Sequence, residues 1–600
     1  MTVRRQSCPT YRGGVVALLA GLVQGCSVEA FESASVSPPV VNTCSTQAEC
    51  GPNGQCREGM CVAALGQLDD VIVQIVPTAG AHYGAGDSFF VSLGNTSTAD
   101  FVRDLTLPDY AEIAGRVVPD IESMSGCTSS YDAANNSLAV HVELSRGEAS
   151  WGLPAASYEA TSQWVPGDDI HPVAGWEFSL NVPTGMYELY VTALEDCAGV
   201  FPPVLVRRLS FRDGGRVPYS LNVASPVELR GTVKLPEATP RLLQGWTVSM
   251  LEPRQGRVIS TVHRWGDEGG SEFVLRYHPL EGVVAPLIRL APPDGVAAPS
   301  FLWDLTALDL GGNGTVGLDL QALGGVSPVR VHAQVLDAGA PTGKISAVAD
   351  ASVRLRSLTL DGLPGLIARY DTTATADDKG QFVVDLLPGR YKVVVVPPDE
   401  SNLALTTDEW VIASTPAEQA GRTVEVTRLA QLTGSVHAPL DGAPLQNTTI
   451  RLSPTIMAPA DFLDRTISPP DPSPRPGSGY TDDTGAFAIA LDPGSFDMAA
   501  QVRTDRALPW LVRSRLKVPN EGLGMMSVSL PVPIAGVLRD PQDNVVQQAL
   551  LRVYAPLDKT GATVSAPTLN SPEVAGVLQV AETRTDEAGR FLILLPSATR

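Results

Sequence analysis

The chain has 600 residues, with 43 basic against 65 acidic side chains and a formal net charge of −22. Hydrophobic residues at 44% with charged residues at only 18% exclude a mainly disordered chain. The 55 glycines and 49 prolines exclude a helical bundle, since both residues break helices. The acidic balance argues against nucleic acid as a partner, because phosphate contacts need basic faces. The length implies several domains.

The N-terminus reads as an export signal. Arg4, Arg5 and Arg12 flank a short apolar stretch, Gly13 to Val23, followed by Gln24-Gly25-Cys26. Eleven apolar residues are too few to cross a bilayer as a helix, which takes about 20. The tail Val23-Gln24-Gly25-Cys26 resembles a bacterial lipoprotein signal. The resemblance implies that residues 1–25 are removed and that Cys26 carries lipid. Ser27 in place of Asp implies the outer membrane under the enteric sorting rule. The expected address is therefore exported and lipid-anchored, at the outer membrane or cell surface, with the periplasmic or outward orientation left open. Loss of the three arginines brings the charge to −25, so the lipid and not a basic patch would hold the protein to its membrane. Residues 26–43, rich in Ser, Val and Pro, read as a tether.

Cysteine usage points to an oxidising compartment. Cys44, Cys50, Cys56 and Cys61 follow the spacing C-x5-C-x5-C-x4-C, which predicts a disulfide knob over 44–62, loosely similar to the EGF-like modules of bacterial surface proteins. Four cysteines allow three connectivities. A zinc site is disfavoured, since no C-x2-C arm occurs. Cys127 and Cys197 remain as a further disulfide pair, and Cys8 falls within the signal.

Two motifs then recur in fixed order. The first is an apolar strand centred on a small residue: Gly115, Gly231, Ala333, Gly434 and Gly536, spaced 116, 102, 101 and 102 apart. The second is an alternating strand opened by Phe178, Phe273, Phe382, Phe487 and Phe591, spaced 95, 109, 105 and 104 apart. In each Phe strand the residues two and four further on share one face, as a half-buried strand requires. Acidic turns precede the later copies, in Asp377-Asp378-Lys-Gly380, Asp482-Asp483-Thr-Gly485 and Asp586-Glu587-Ala-Gly589. A second turn and an aromatic strand follow, as in Thr184-Gly185-Met-Tyr187, Pro388-Gly389-Arg-Tyr391 and Pro493-Gly494-Ser-Phe496. Hairpins at this density predict an all-β chain of tandem antiparallel β-sandwich domains. The predicted units are 67–226, 227–326, 327–428, 429–531 and 532–600.

The order G-x-V, then T-D-x-x-G-x-F-x-L-x-x-P-G-x-Y, resembles the carboxypeptidase regulatory-like domain, best in Thr375 to Tyr391 and Thr481 to Phe496. The resemblance implies a seven-stranded, transthyretin-like sandwich on a secreted or surface protein, and no peptidase activity. The first two units depart from it, because Phe178 and Phe273 lack the full acidic turn. The fifth unit stops 11 residues past Gly589, whereas the fourth runs some 45 past Gly485. A sandwich without its last strands would leave an unpaired edge, so the natural chain is expected to continue beyond Arg600.

Groups for chemistry are sparse. The seven histidines, His82, His141, His171, His263, His278, His332 and His437, form no H-x-x-x-H pair, and no G-x-S-x-G elbow occurs. Gly312-Asn-Gly314-Thr-Val-Gly317 matches a dinucleotide fingerprint but lacks the helix that would offer amides, and is expected to be a hairpin loop. The acidic turns could ligate calcium, although turn chemistry already accounts for them. Trp151, Trp164, Trp176, Trp246, Trp265, Trp303, Trp410 and Trp510 are candidate sugar platforms or core residues. The leading expectation is a non-enzymatic envelope protein without cofactor, built as a stalk or adhesive array. A carbohydrate- or peptidoglycan-binding surface protein is the first alternative. The second is the accessory region of an enzyme whose catalytic domain lies beyond Arg600.

Overall fold

The computed structural model describes residues 44–597 apart from connecting segments, the longest being 119–139, 456–470 and 558–575. Among the described residues the regular structure is β-strand, with short 3-10 turns such as Gln321–Gly325. Five two-sheet sandwiches follow the small domain at 44–63, each with its own core.

The first sandwich shows the common plan. One sheet has the order Gln163–Val165, Gly175–Pro183, Tyr110–Val118, Gly215–Asn222. The facing sheet has the order Ser157–Thr161, Val140–Arg146, Gly185–Ala193, Val204–Phe211. Sandwiches two to four repeat it around opening strands Val227–Lys234, Val329–Asp337 and Ala430–His437. In each, the opening strand pairs antiparallel with the Phe strand and parallel with the last strand of the unit. The expectation of antiparallel sheets is thus met everywhere except at this one parallel pair, where the final strand returns to the far side of the first.

The two sequence motifs meet across the sheet. Gly115 is the register partner of Phe178, Gly231 of Phe273, Ala333 of Phe382, Gly434 of Phe487 and Gly536 of Phe591. The five Phe side chains are buried. A Cβ on Gly115 or Gly231 would lie 2.0 or 2.1 Å from Cζ of the partner ring. The small residue therefore makes room for the ring over the opposite backbone, which accounts for each unit carrying both motifs. The aromatic strand supplies a second anchor: Tyr187 and Tyr391 are buried, and their hydroxyls donate to the carbonyls of Pro183 and Leu387, four residues back, at 2.6 and 2.8 Å.

The fifth sandwich is made from both ends of the chain. Its opening strand Pro531–Arg539 pairs with the Phe strand Arg590–Pro596, and on its other side with Leu105–Thr106 in parallel. In the facing sheet the order is Gly576–Arg584, Leu550–Leu557, Ile72–Val76, Phe89–Ser92. Three strands from 72–106 thus occupy the places that Gly389–Val396, Thr406–Ile412 and Glu418–Val426 hold in the third sandwich. Val71, Val73, Ile75, Phe89, Leu93, Leu105 and Leu107 are buried in one core with Ile534, Leu538, Leu551, Val553, Phe591 and Ile593.

This corrects where the first unit starts. Residues 71–76, 89–93 and 102–107, assigned to the first unit, join the fifth, and the first sandwich begins at Tyr110. The apolar run Ile72–Val76 carries no local mark of the sheet it will join. A smaller exchange occurs between sandwiches two and three. Ile367–Arg369 pairs with Ser300–Asp304, extending a sheet of the second sandwich to five strands, and Leu363 and Ala368 enter its core.

Candidate functional site

The closure of the fifth sandwich is the most distinctive feature of the chain. Beyond the strand pairing, Val537 N–H donates to Asp104 Oδ1 at 2.9 Å, and Arg103 N–H to the Ala535 carbonyl at 2.8 Å. A Cβ on Gly536 would lie 2.0 Å from the Arg103 carbonyl oxygen, so this glycine also admits the crossing segment. Leu107 N–H donates to the Arg539 carbonyl at 2.9 Å, holding Leu107 in the fifth sandwich. Two residues later the Asp109 carbonyl accepts from Thr184 N–H of the first sandwich at 2.7 Å. Only Pro108 lies between.

The remaining junctions are specific. Between sandwiches one and two, Arg257 pairs with Glu143 at 2.8 Å and lies 4.8 Å from the Tyr190 ring centroid, while the Tyr190 hydroxyl donates to the Val258 carbonyl at 2.6 Å. Burial pushes the Tyr190 phenol up to about 12. His278 is buried at the same junction, its ring 5.6 Å from that of Phe201. Between three and four, Asp471 meets Lys392 Nζ at 2.8 Å and Arg356 Nη2 at 3.1 Å. Arg475 meets the buried Asp492 carboxylate at 2.7 Å, and Asp492 also accepts the Leu405 amide at 2.7 Å. Burial pushes the Asp492 carboxyl up, but Arg475 and the amides of Arg475 and Leu405 outweigh it and hold the group below the usual carboxylate range. Val512 of the fourth sandwich packs on the fifth core. Neighbours touch at each of these junctions and Pro108 ties the fifth to the first, so the five sandwiches form a closed circuit. A stalk or an adhesive array was expected; a one-residue link between first and last sandwich is incompatible with five sandwiches placed end to end, and leaves the array form open.

The knob sits against this closure. Its disulfides are Cys44–Cys56 and Cys50–Cys61, one of the three arrangements the sequence left open. The sulfurs of Cys44, Cys50 and Cys61 cluster within 4.8 Å because the two bridges are adjacent, which leaves them no free thiolates for a metal. Leu530 packs on the cysteines, and Ala63 enters the fifth core. Cys26, Cys127 and Cys197 lie outside the described residues, as do His82, His171 and Trp151.

Other residues singled out by sequence are separated by the fold. Asp377 Oδ1 accepts the amides of Lys379 and Gln381, each at 2.8 Å; Asp482 Oδ1 accepts those of Thr484 and Ala486, and Asp586 Oδ1 those of Ala588 and Arg590. The first acid of each pair is therefore committed to its turn, and Gly380, Gly485 and Gly589 supply the positive φ at 69°, 74° and 70°. A fourth turn of the same kind, on Asp540, was missed because Asp543, at φ 68°, stands where the others have glycine. Trp176, Trp246, Trp265, Trp410 and Trp510 are buried, and Trp164 and Trp303 half-buried, so no described Trp stands exposed as a sugar platform. The shallow depression bordered by His263, Arg264, Trp265 and Glu272 has its indole N–H bonded to the Glu272 carbonyl at 3.1 Å. His332 is on an outward strand position and meets Glu418 at 2.8 Å. The second half of the G-x-G-x-x-G match lies in the strand Thr315–Asp319.

No family model matches the chain, and no curated protein matches it. Solved structures similar to parts of it include the streptococcal ancillary pilin, 11% identical with TM-score 0.20, over 51% of this chain and 99% of that one. The minor pilin GBS52 of Streptococcus agalactiae is 12% identical with TM-score 0.20, over 35% and 95%. The shaft pilin SpaA of Lactobacillus rhamnosus GG is 12% identical with TM-score 0.17, over 34% and 98%. With TM-scores this low, the architecture rests on the strand pairing described above.

Proposed function

We propose that this chain is an exported, lipid-anchored interaction scaffold without catalytic activity, attached through Cys26 and presenting five sandwiches as one closed body. The observation that carries the reading is the completion of the fifth sandwich by Ile72–Val76, Phe89–Ser92 and Leu105–Thr106. It ties the segment next to the anchor to the last sandwich, and so converts five modules on a string into a single circuit. A disulfide knob fits an oxidising compartment. The polar groups described are committed to turns and junctions, which suits a body whose work is presentation and holding. The domain likeness to carboxypeptidase regulatory-like modules supports the same reading, since those are appendages and not catalysts.

Labelled palmitate fed to cells expressing the chain should be incorporated, and Cys26→Ala should abolish the incorporation. Small-angle scattering of the soluble Cys26→Ala chain should give a maximum dimension far short of five sandwiches placed end to end. Retention of label in Cys26→Ala sinks the anchor; an extended scattering profile sinks the closed body.

A further inference from the structure

We propose that Ser435 is a reactive acceptor hydroxyl, activated by His437, that takes an acyl group from an activated donor such as an aryl ester or thioester. The two residues stand two apart on the strand Ala430–His437 of the fourth sandwich. Both are half-buried and share its outward face, since Val436 between them is buried. His437 Nδ1 lies 3.0 Å from the Gly442 carbonyl oxygen, and Nε2 lies 3.1 Å from Ser435 Oγ. A carbonyl can only accept, so Nδ1 carries the proton, and the Nε2 of the neutral ring accepts from the Ser435 hydroxyl. A nucleophile on a base that a third group orients is the arrangement that nucleophilic serines use. The approach is open as well. The residue after each small motif residue faces the one before each Phe, which gives Arg116 with Glu177 in the first sandwich and Gln334 with Gln381 in the third. Ser435 instead faces the methyl of Ala486. On its other side is Met525, 74% exposed, an apolar neighbour for the donor's acyl chain.

In the reaction Ser435 Oγ bonds to the acyl carbon and passes its proton to Nε2. The donor's bond to its leaving oxygen or sulfur breaks, and the imidazolium returns the proton to that atom, leaving a serine ester. The amides of Ser435 and Val436 donate to the Gly524 and Gly485 carbonyls, both at 2.9 Å, so the strand around the serine offers neither to a developing oxyanion. One oxyanion donor is worth about 10²–10³ in rate. Without it the pair serves activated donors and not amides, and adds to a non-catalytic scaffold a point of covalent attachment.

The test is acetylation of the folded full-length chain by p-nitrophenyl acetate at neutral pH, followed by peptide mass spectrometry. Ser435 should carry acetyl well above every other serine. Ser527 is the internal control, since it is the register partner of His437 but donates to backbone carbonyls. His437→Gln should slow acetylation of Ser435 about 10²-fold, the low end of what a positioned base supplies, with circular dichroism unchanged. Ser527→Ala should leave the rate unchanged, and Ser435→Ala should remove the adduct without moving it to Ser527. In urea the labelling of Ser435 should fall to that of the other serines. Acetylation of Ser435 no faster than that of Ser527, a rate that His437→Gln leaves unchanged, or equal labelling of Ser435 in the folded and unfolded chain each overturns the proposal.

Discussion

Tyr554 donates its hydroxyl proton to Gln74 Oε1 at 3.1 Å, across 480 residues of sequence, and both side chains are buried. The bond lies where Leu550–Leu557 meets Ile72–Val76, inside a sandwich that neither end of the chain can build alone. A buried hydroxyl and amide left without partners would each cost about 1–3 kcal/mol. This pair therefore favours closure in the one register that satisfies both.

The closure predicts energetic coupling between distant residues. Ile75 and Leu551 are register partners and both fully buried. Ile75→Ala and Leu551→Ala should each destabilise the fifth sandwich by about 2–5 kcal/mol. The double variant should lose less than the sum, since the two side chains share one cavity. Urea titration of the four chains measures the coupling; strict additivity would show that 72–76 does not pack there in solution.

A second prediction concerns the small residue opposite Phe. Gly231→Val would drive side-chain carbon into the Phe273 ring and should cost about 1–3 kcal/mol or more by overpacking. Gly317, in the same sheet, has nothing within 4 Å of a built Cβ, so Gly317→Ala should be near neutral. Thermal unfolding that ranks the two variants the other way would refute the packing account of the repeat.

The clasp between sandwiches three and four should depend on acid. Asp492 is held below the usual carboxylate range when folded, so it binds its proton more weakly there than in the unfolded chain. Its contribution is present above the unfolded value near 3.8 and is lost as pH falls through the lower folded value. Asp492→Asn should flatten the acid limb of stability below about pH 4. It should also weaken the junction at neutral pH by roughly 1–3 kcal/mol, because Arg475 then loses the charged acceptor of its hydrogen bonds. Unfolding followed from pH 6 to pH 2 in both chains checks the two effects.

His278 gives a dependence at milder pH. Burial lowers its affinity for a proton in the folded chain, so the unfolded chain binds more protons as pH falls through the ordinary value of 6.5. Stability at the junction of sandwiches one and two is full above that value and declines below it. His278→Phe should remove the decline between pH 7 and pH 5 while keeping the packing on Phe201. Hydrogen exchange of Glu272–Tyr277 at the two pH values would show it, and an unchanged pH profile in the variant would refute it.

Much of the fold was legible in the sequence because its signals are local. The period near 102 residues, the alternation behind each Phe, and the Asp and Gly of the turns all arise from constraints within a few residues or within one hairpin. The clustered cysteines announced a stapled knob for the same reason. The sequence by itself therefore determined an all-β chain of repeated sandwiches, and even named the residues, Gly115 with Phe178 through Gly536 with Phe591, that turned out to face one another. What it could not determine is which edges meet. Ile72–Val76 is a good strand for any sandwich of this family of five, and only the vacancy beside Leu550–Leu557 selects its place. The cysteine pairing, the loan of Ile367–Arg369 to the second sandwich and the closure of the circuit at Pro108 are decided the same way. Each depends on complementarity between surfaces far apart in sequence, and such surfaces exist only once the intervening domains have folded and brought them together.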